Sequence, residues 1–138
     1  PWSFSSRFLG AIEPHWVVRY MFYVVLFKLM FLSGVVKLMS GDPTWRNLSA
    51  LAYHYWTQPL PNPASIFFHA QPLAFQRIAT SLTFLVELVL PFLVFWPRFR
   101  FLASIGFICL SLLIFVSGNY TFFNLLTIAL CFWLIPDE

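Results

Sequence analysis

Charged residues are scarce in this sequence. Asp, Glu, Lys and Arg together make up 9% of its 138 residues, little more than a third of the ~25% usual for a soluble domain. The eight Lys and Arg residues and five Asp and Glu residues leave a net charge of +3, which is too small and too scattered for a nucleic-acid-binding surface. Since 60% of the residues are apolar, intrinsic disorder is excluded as well.

Cysteines, histidines and catalytic motifs are equally sparse. Cys109 and Cys131 both lie in apolar runs, so a disulfide framework is not expected. His15, His54 and His69 have no metal-binding spacing and lie outside the apolar runs, which argues against haem held by histidines within a membrane. No phosphate loop, nucleophile elbow, HExxH or CxxC motif occurs. The sequence therefore predicts no catalytic residue, no metal, no cofactor and no enzyme.

What the sequence does contain is long apolar runs. Roughly 20 apolar residues in a helix cross the ~30 Å hydrocarbon core of a bilayer, and a soluble domain this small could not bury so many. Membrane spans are predicted at about 16–38, 73–96, 99–116 and 119–135. The last is short, so a re-entrant segment is the alternative there. We expect an all-α integral, multi-pass membrane protein with about four transmembrane helices in one membrane domain, residues 16–138, surrounded by lipid.

The segment before the first span has its own pattern. Apolar residues at 4, 8, 9 and 12 share one helical face, which predicts that 1–15 is an interfacial amphipathic segment; an irregular tail packed on the domain is the alternative. The sequence starts with Pro1, without an initiator Met or a signal peptide. We therefore expect it to be a segment of a longer protein.

Residues 39–72, which we call the cap, connect the first two spans. Asp42 can cap a helix that Pro43 begins, and a short helix is predicted over 45–55. Alternating prolines then favour extended backbone, and the aromatic side chains favour the membrane–water boundary. The residues expected at this interface or in contact with a partner are Asp42, Pro43, Trp45, Arg46, Tyr53, His54, Gln58, Pro59 and Pro61. Arginine and lysine positions weakly favour a cytoplasmic amino terminus and an external cap.

Two ionisable residues, Lys28 and Glu87, lie near the middle of the first and second spans. An unpaired charge at this depth costs ~2.5–3.5 kcal/mol or more, and antiparallel neighbouring spans would bring the two residues to similar depths. We therefore predict a Lys28–Glu87 contact. Lys28 lies opposite the face shared by Arg19 and Lys37, since nine residues make 2.5 turns of helix. The pair has two interpretations: it fixes the helix register, or it forms a binding or proton-handling site.

Polar residues also occur at the turn before the last span. Asn119 and Asn124 are predicted to bond to backbone groups freed between the last two spans. The triplets 47–49 and 119–121 match the glycosylation acceptor pattern, which is short enough to occur by chance. In the first span, Ser33 and Gly34 permit close helix packing.

Several longer stretches of the sequence resemble the lipase maturation factor family. The matching strings are FKLMFLSGVVKL at 27–38, SGDPTW at 40–45, YHY at 53–55, TQPLPNP at 57–63 and GNYTFFNLLT at 118–127. The resemblance implies a multi-pass membrane protein. Animal members reside in the endoplasmic reticulum and help secreted dimeric lipases to fold and assemble, and bacterial members are similar in sequence. The membrane domains of vitamin K-dependent carboxylases are distantly similar, but no residue here carries over their catalysis.

Two functions follow from these observations, and a membrane enzyme distantly similar to the vitamin K-dependent carboxylases is a third alternative. The first, implied by the resemblance, is a non-enzymatic assembly or maturation factor whose client is a secreted or lumenal protein such as a lipase. The alternative is a structural accessory subunit of a larger energy-transducing or photosynthetic membrane complex, with neighbouring subunits as partners. The expected location is the endoplasmic reticulum in a eukaryote and the inner or plasma membrane in a bacterium.

Overall fold

The computed structural model describes residues 15–58, 61–118 and 121–135, and within them every regular element is helical. This confirms the all-α fold. The helices are α1 (Trp16–Met39), α2 (Pro43–Arg46), α3 (Ala50–Thr57), α4 (Pro63–His69), α5 (Leu73–Phe84), a π-helical turn (Leu85–Val89), α6 (Leu90–Leu93), a 3₁₀ turn (Pro97–Phe99), α7 (Arg100–Ser117), α8 (Thr121–Cys131) and a 3₁₀ turn (Phe132–Leu134).

Three stretches of the described chain are long and apolar enough to cross a membrane: Trp16–Met39, Leu73–Leu93 and Pro97–Ser117. We call Leu73–Leu93 the second span. A shorter apolar helix, Phe122–Leu134, packs against α7 and α1. The predicted amphipathic segment falls almost entirely on residues 1–14, which lie outside the described residues, as do Pro59 and Asn119.

α1 presents one narrow face to the rest of the bundle. Its buried residues are Tyr23, Leu26, Met30 and Gly34, and their spacing of three, four and four residues keeps them on the same side of a helix. Gly34 allows the second span to approach closely, because a Cβ at this position would lie 2.6 Å from Leu88 Cδ2. The sequence-based expectation of close packing at Gly34 is thus matched by a specific contact.

The second span changes its winding near its centre. Leu90 N–H bonds to Leu85 O, five residues back, instead of four as in an α-helix. Pro91 explains this change, because it has no N–H to donate to Glu87 O and its ring clashes with a carbonyl four residues back. One turn beyond Glu87, Leu90 packs against α7 so closely that a Cβ on Gly106 would lie 2.2 Å from its Cδ2.

The packed core occupies the half of the bundle distant from the cap. It contains residues of α1, the turn that follows α6, α7, α8 and the final 3₁₀ turn: Tyr23, Leu26, Met30, Val94, Ala103, Phe107, Leu110, Cys131 and Leu134. Arg100 closes this end, since its Nε donates to Val94 O (2.9 Å) and its guanidinium lies 4.4 Å from the ring centroid of Tyr23. The half nearer the cap is less tightly filled.

The cap differs from its predicted form in two ways. The predicted helix over 45–55 is two helices, α2 and α3, separated at Leu48, whose φ is +61°. Asn47 stabilises this break because its Oδ1 accepts hydrogen bonds from both the N–H and the hydroxyl of Ser49. In addition, the proline-rich stretch ends in a helix, α4, which begins at Pro63 behind an Asn62–Ser65 capping box.

Candidate functional site

Glu87 and Lys37 form an ion pair between the second span and α1. Lys37 Nζ donates to both carboxylate oxygens of Glu87, with a distance of 2.6 Å to Oε2. The Glu87 side chain is 4% exposed and the Lys37 side chain 24% exposed. Lys37 follows Gly34 by three residues and therefore continues the buried face of α1. The pair thus lies beside the closest contact between these two helices.

The predicted contact between Lys28 and Glu87 is therefore wrong. Lys28 is exposed and lies between Leu26 and Met30 in the sequence, so its side chain leaves the opposite side of α1 from the buried face. The prediction also assumed that the end of the first span lies level with the start of the second. Instead Gly34, five residues before the end of α1, meets Leu88, fifteen residues after the start of α5. This offset brings Lys37 to the level of Glu87.

An aromatic residue of the cap, Trp45, lies beside the ammonium group of Lys37. Its Nζ lies 5.5 Å from the ring centroid of Trp45, within the range of a cation–π interaction. Trp45 in turn makes an edge contact with Phe84 of α5, with ring centroids 5.8 Å apart. Burial lowers the pKa of His54, and the positive charge of Lys37 lowers it further. Burial raises the pKa of Tyr55 on the same helix.

A cavity of about 610 Å³ lies beneath the cap and beside the ion pair. α1 contributes Ser33 and Lys37 to its wall, and the cap contributes Trp45, His54 and Tyr55. Most of the remaining wall is apolar and comes from the second span and α7: Phe75, Ile78, Ala79, Leu82, Thr83, Val86, Gly106, Cys109, Leu110, Leu113 and Ile114. This mostly apolar wall suits an apolar molecule better than a reaction centre.

Asn124 of α8 also lines this cavity. It is 2% exposed, and its Nδ2 has no hydrogen-bond acceptor in the described part of the chain. A buried amide without an acceptor costs free energy comparable to a lost hydrogen bond. The sequence-based expectation that Asn124 bonds to free backbone is therefore not met by this nitrogen.

Polar residues of the cap bind the end of α7. Gln58 Nε2 donates to Ser117 O and Asn62 Nδ2 to Val116 O, both at 2.8 Å. These carbonyls belong to the last turn of α7, where no N–H of the same helix is available to them. Gln58, which was predicted to lie at the interface or to contact a partner, is 6% exposed and is hydrogen-bonded to α7. Asn62 was missed, although its position before Pro63 and three residues before Ser65 is a helix-start signal.

The other cap residues singled out from the sequence lie nearer the surface. Asp42 Oδ1 accepts from the N–H of Thr44 (2.8 Å) at the start of α2, and Pro43 is the first residue of that helix. Pro43, Arg46, Tyr53 and Pro61 are exposed. Two contacts were not predicted from the sequence: Lys37 as the partner of Glu87, and Gly106 as the residue of α7 that contacts Leu90. The spacing of Lys37 from Gly34 was the available signal for the first. Among the described residues, no group of three or more His, Cys, Asp or Glu residues could hold a metal ion.

Comparisons with known proteins identify relatives along the whole chain. The family model described as the lipase maturation factor transmembrane domain matches residues 1–138. Lipase maturation factor 2 from Mus musculus is 48% identical over 140 residues, and the Homo sapiens protein is 46% identical over 140 residues; each alignment covers 97% of this chain and 19% of the relative. Lipase maturation factor 1 from Bos taurus is 37% identical over 128 residues, covering 92% of this chain and 22% of the relative.

No solved structure matches this chain. The chain spans about a fifth of the length of the curated relatives it matches. The family model nevertheless covers every residue of it, and its apolar helices have the length and composition that a membrane domain requires. The chain is therefore an integral membrane segment that belongs to the lipase maturation factor family.

Proposed function

We propose that this segment is the membrane scaffold of a non-enzymatic assembly factor that aids the maturation of a secreted or lumenal lipase. The observation that carries this proposal is the match of the whole chain to the transmembrane domain of the family, together with relatives named lipase maturation factors. Those relatives are about five times longer than the aligned region. Because this chain spans about a fifth of the length of those relatives, we assign to it only one part of that function.

We assign to this segment the role of presenting the cap to the client protein. The Lys37–Glu87 pair and the contact at Gly34 hold α1 against the second span, and Gln58 and Asn62 hold the cap against α7. The cap is thereby a fixed surface, not a loose connection. Rigid support matters because ordering a loop on binding reduces the affinity for a partner.

The exposed side of the cap carries aromatic side chains suited to protein contact. Tyr53, Trp56 and Phe67 are exposed, and Trp56 lies against His69 with ring centroids 5.5 Å apart. Tryptophan and tyrosine are enriched among the residues that dominate binding energy at protein interfaces. They are also enriched at membrane–water boundaries, so an anchoring role in lipid is the competing explanation for these rings.

A pair of tryptophans separates these two explanations. Trp56 lies on the cap and is 64% exposed, while Trp96 lies at the opposite end of the second span and is 56% exposed. Both suit the membrane boundary, but only Trp56 belongs to the proposed client surface. Trp56→Ala and Trp96→Ala in the full-length protein are therefore matched variants.

The measurement is the activity of a secreted lipase in cells lacking the endogenous protein, complemented with each variant at equal membrane abundance. We expect Trp56→Ala to reduce secreted lipase activity several-fold and Trp96→Ala to leave it near the wild-type level. A hot-spot aromatic contributes about 2 kcal/mol, enough for a ~30-fold loss of affinity. Equal activity with the two variants would refute a client surface on the cap, and full lipase activity without the protein would refute the function itself.

The orientation and location follow from the same proposal. A lipase client requires the cap to face the lumen of the endoplasmic reticulum in a eukaryote, or the outside of the plasma membrane in a bacterium. The distribution of Lys and Arg weakly favours this orientation. The alternative of an accessory subunit in an energy-transducing or photosynthetic complex has no support among the relatives, whose names refer to lipase maturation.

A further inference from the structure

The cavity beneath the cap exists because the second span and α7 lie in contact toward the core but separate toward the cap. Toward the core, the second span contacts α7 through its π-helical turn and α6, with Leu90 against Gly106. Toward the cap, α5 packs mainly on α3 instead of on α7. Because Asn62 and Gln58 hold the cap on the end of α7, the two spans cannot simply close together there. The space between them is the cavity of about 610 Å³.

The gap between α5 and α7 faces the bilayer. Leu82 and Ile78 of α5 and Leu113 of α7 line the cavity and are also exposed at the surface of the bundle. Both helices belong to stretches that are long and apolar enough to cross a membrane, so we expect lipid chains to lie outside this gap. Empty apolar cavities lose dispersion contacts and readily take up apolar molecules.

The size of the cavity distinguishes between possible occupants. Its volume lies within the range of about 300–1,000 Å³ typical of small-molecule sites. A helix about 10–12 Å across would fill this volume with roughly 5–8 Å of its length, about one turn. A transmembrane segment of a client therefore does not fit, whereas a single flexible hydrocarbon chain does.

The cavity also contains a polar group that lacks a partner. Asn124 is 98% buried and belongs to the cavity wall, and its Nδ2, which is itself buried, has no acceptor in the described part of the chain. A carbonyl oxygen on an entering molecule would supply the missing acceptor once the Asn124 side chain rotates its amide toward the cavity. Ester carbonyls join the acyl chains of glycerolipids to their backbone, which combines this acceptor with an apolar chain.

We propose that this cavity binds an acyl chain of a membrane glycerolipid, which enters between α5 and α7 and places its ester carbonyl on Asn124. The bound chain completes the packing of the bundle on the side of the cap. This inference does not depend on the lipase role proposed above, because it concerns the membrane segment alone.

The test uses the full-length protein reconstituted in phosphatidylcholine vesicles that contain a trace of phosphatidylcholine with a photoactivatable diazirine in one acyl chain. After irradiation, mass spectrometry of peptides locates the adducts. We expect adducts to be several-fold enriched on cavity residues such as Leu82 and Leu113 over Ile105, which is exposed on α7 outside the cavity. Even labelling of the exposed residues would overturn the proposal.

Two variants of α5 provide a matched comparison. Ala79→Phe fills the cavity, whereas Ala74→Phe makes the same change at an exposed position outside it. We expect Ala79→Phe to reduce labelling of the cavity residues several-fold and Ala74→Phe to leave it unchanged. Unchanged labelling in Ala79→Phe would contradict an occupied cavity.

A measurement on the unmodified chain keeps the proposal testable if Ala79→Phe does not fold. Cys109 lines the cavity and is exposed, whereas Cys131 is buried. Phosphatidylcholine added to delipidated protein in detergent should slow maleimide alkylation of Cys109 several-fold. An unchanged rate would count against lipid in the cavity.

The role of Asn124 is tested by the linkage of the lipid. We expect the ester-linked photolipid to label the cavity several-fold more than an ether-linked analogue, and this preference to disappear in Asn124→Leu. Equal labelling by the two lipids in the wild-type protein would overturn the assignment of the ester carbonyl to Asn124.

Discussion

Replacing Lys37 with Met would leave the Glu87 carboxylate without its cation in the interior of the bundle. Lys37 Nζ is the donor for both oxygens of Glu87, and the Glu87 side chain is only 4% exposed. Removing one member of a buried ion pair costs about 3–5 kcal/mol, because the remaining charge loses its compensation. We therefore expect Lys37→Met to lower the free energy of unfolding by about this amount.

The opposite substitution should cost less. In Glu87→Leu the remaining charge is on Lys37, whose side chain is 24% exposed and lies two residues before the end of α1. A lysine so placed can turn its ammonium group toward the membrane boundary. The loss is then that of a charge-assisted hydrogen bond, about 1.5–3 kcal/mol.

The double variant, Lys37→Met with Glu87→Leu, replaces the pair by apolar side chains of similar size and should be close to wild-type in stability. The two substitutions are therefore expected to be strongly non-additive: their coupling energy would equal the sum of the two single losses, about 4.5–8 kcal/mol, which exceeds the ~0.5–3 kcal/mol typical of residues in contact. Unfolding of the detergent-solubilised protein in increasing fractions of SDS, followed by tryptophan fluorescence, measures each value.

Lys28→Met is the matched control, because it makes the same chemical change on the opposite face of α1, where Lys28 is exposed. We expect it to lower stability by no more than ~0.5 kcal/mol. The reasoning is refuted if Lys28→Met destabilises the protein as much as Lys37→Met, or if the Lys37 and Glu87 substitutions are additive.

Three further predictions use the same unfolding assay. Gly34→Leu should destabilise the protein by about 1–3 kcal/mol through overpacking, since its Cβ would lie 2.6 Å from Leu88 Cδ2. Asn62→Ala should cost about 1–2 kcal/mol, because it removes both the capping box of α4 and the hydrogen bond to Val116 O. For His54, burial and Lys37 lower the pKa from its usual 6.5. On acidification the unfolded state therefore binds a proton at this imidazole at a higher pH than the folded state does. Stability should therefore fall as the pH decreases below about 6.5, and His54→Gln should reduce that dependence.

Each of these predictions has a control on the same or a neighbouring helix. Val36→Leu adds volume on an exposed position of α1 and should be nearly neutral. Gln71→Ala removes only a local hydrogen bond to a carbonyl of α4, and should cost less than the substitution of Asn62. His69→Gln changes an exposed histidine, and a pH profile altered as much by it as by His54→Gln would contradict the assignment to His54.

Much of the fold could be predicted because the bilayer constrains the chain so strongly. A helix must be about 20 residues long to cross the hydrocarbon, and the apolar runs in this sequence indicate where that occurs. The family resemblance was equally accessible, because strings such as SGDPTW at 40–45 are specific. Within the cap, the break at Leu48 and the helix from Pro63 were not predicted, since each depends on side-chain hydrogen bonds of Asn47 and Asn62 that override the local preferences.

The site was less predictable than the fold. Glu87 was recognised from its depth in an apolar run, but its partner was assigned to Lys28 by assuming equal depths for the two spans. The choice of Lys37 depends on the offset between α1 and the second span, which the Gly34–Leu88 contact sets. Nothing within either helix alone carries that information.

The amino-acid sequence by itself determined that the chain lies in lipid, that it is helical and which family it belongs to. These properties depend on composition, on the length of the apolar runs and on short strings of residues. The tertiary structure alone decided which cation neutralises Glu87 and which side chains cap the carboxyl-terminal end of α7. It also decided that a cavity remains beneath the cap. Those features join residues far apart in the chain, such as Lys37 with Glu87 and Asn62 with Val116. They arise from the relative depth and divergence of whole helices, which only packing against one another can establish.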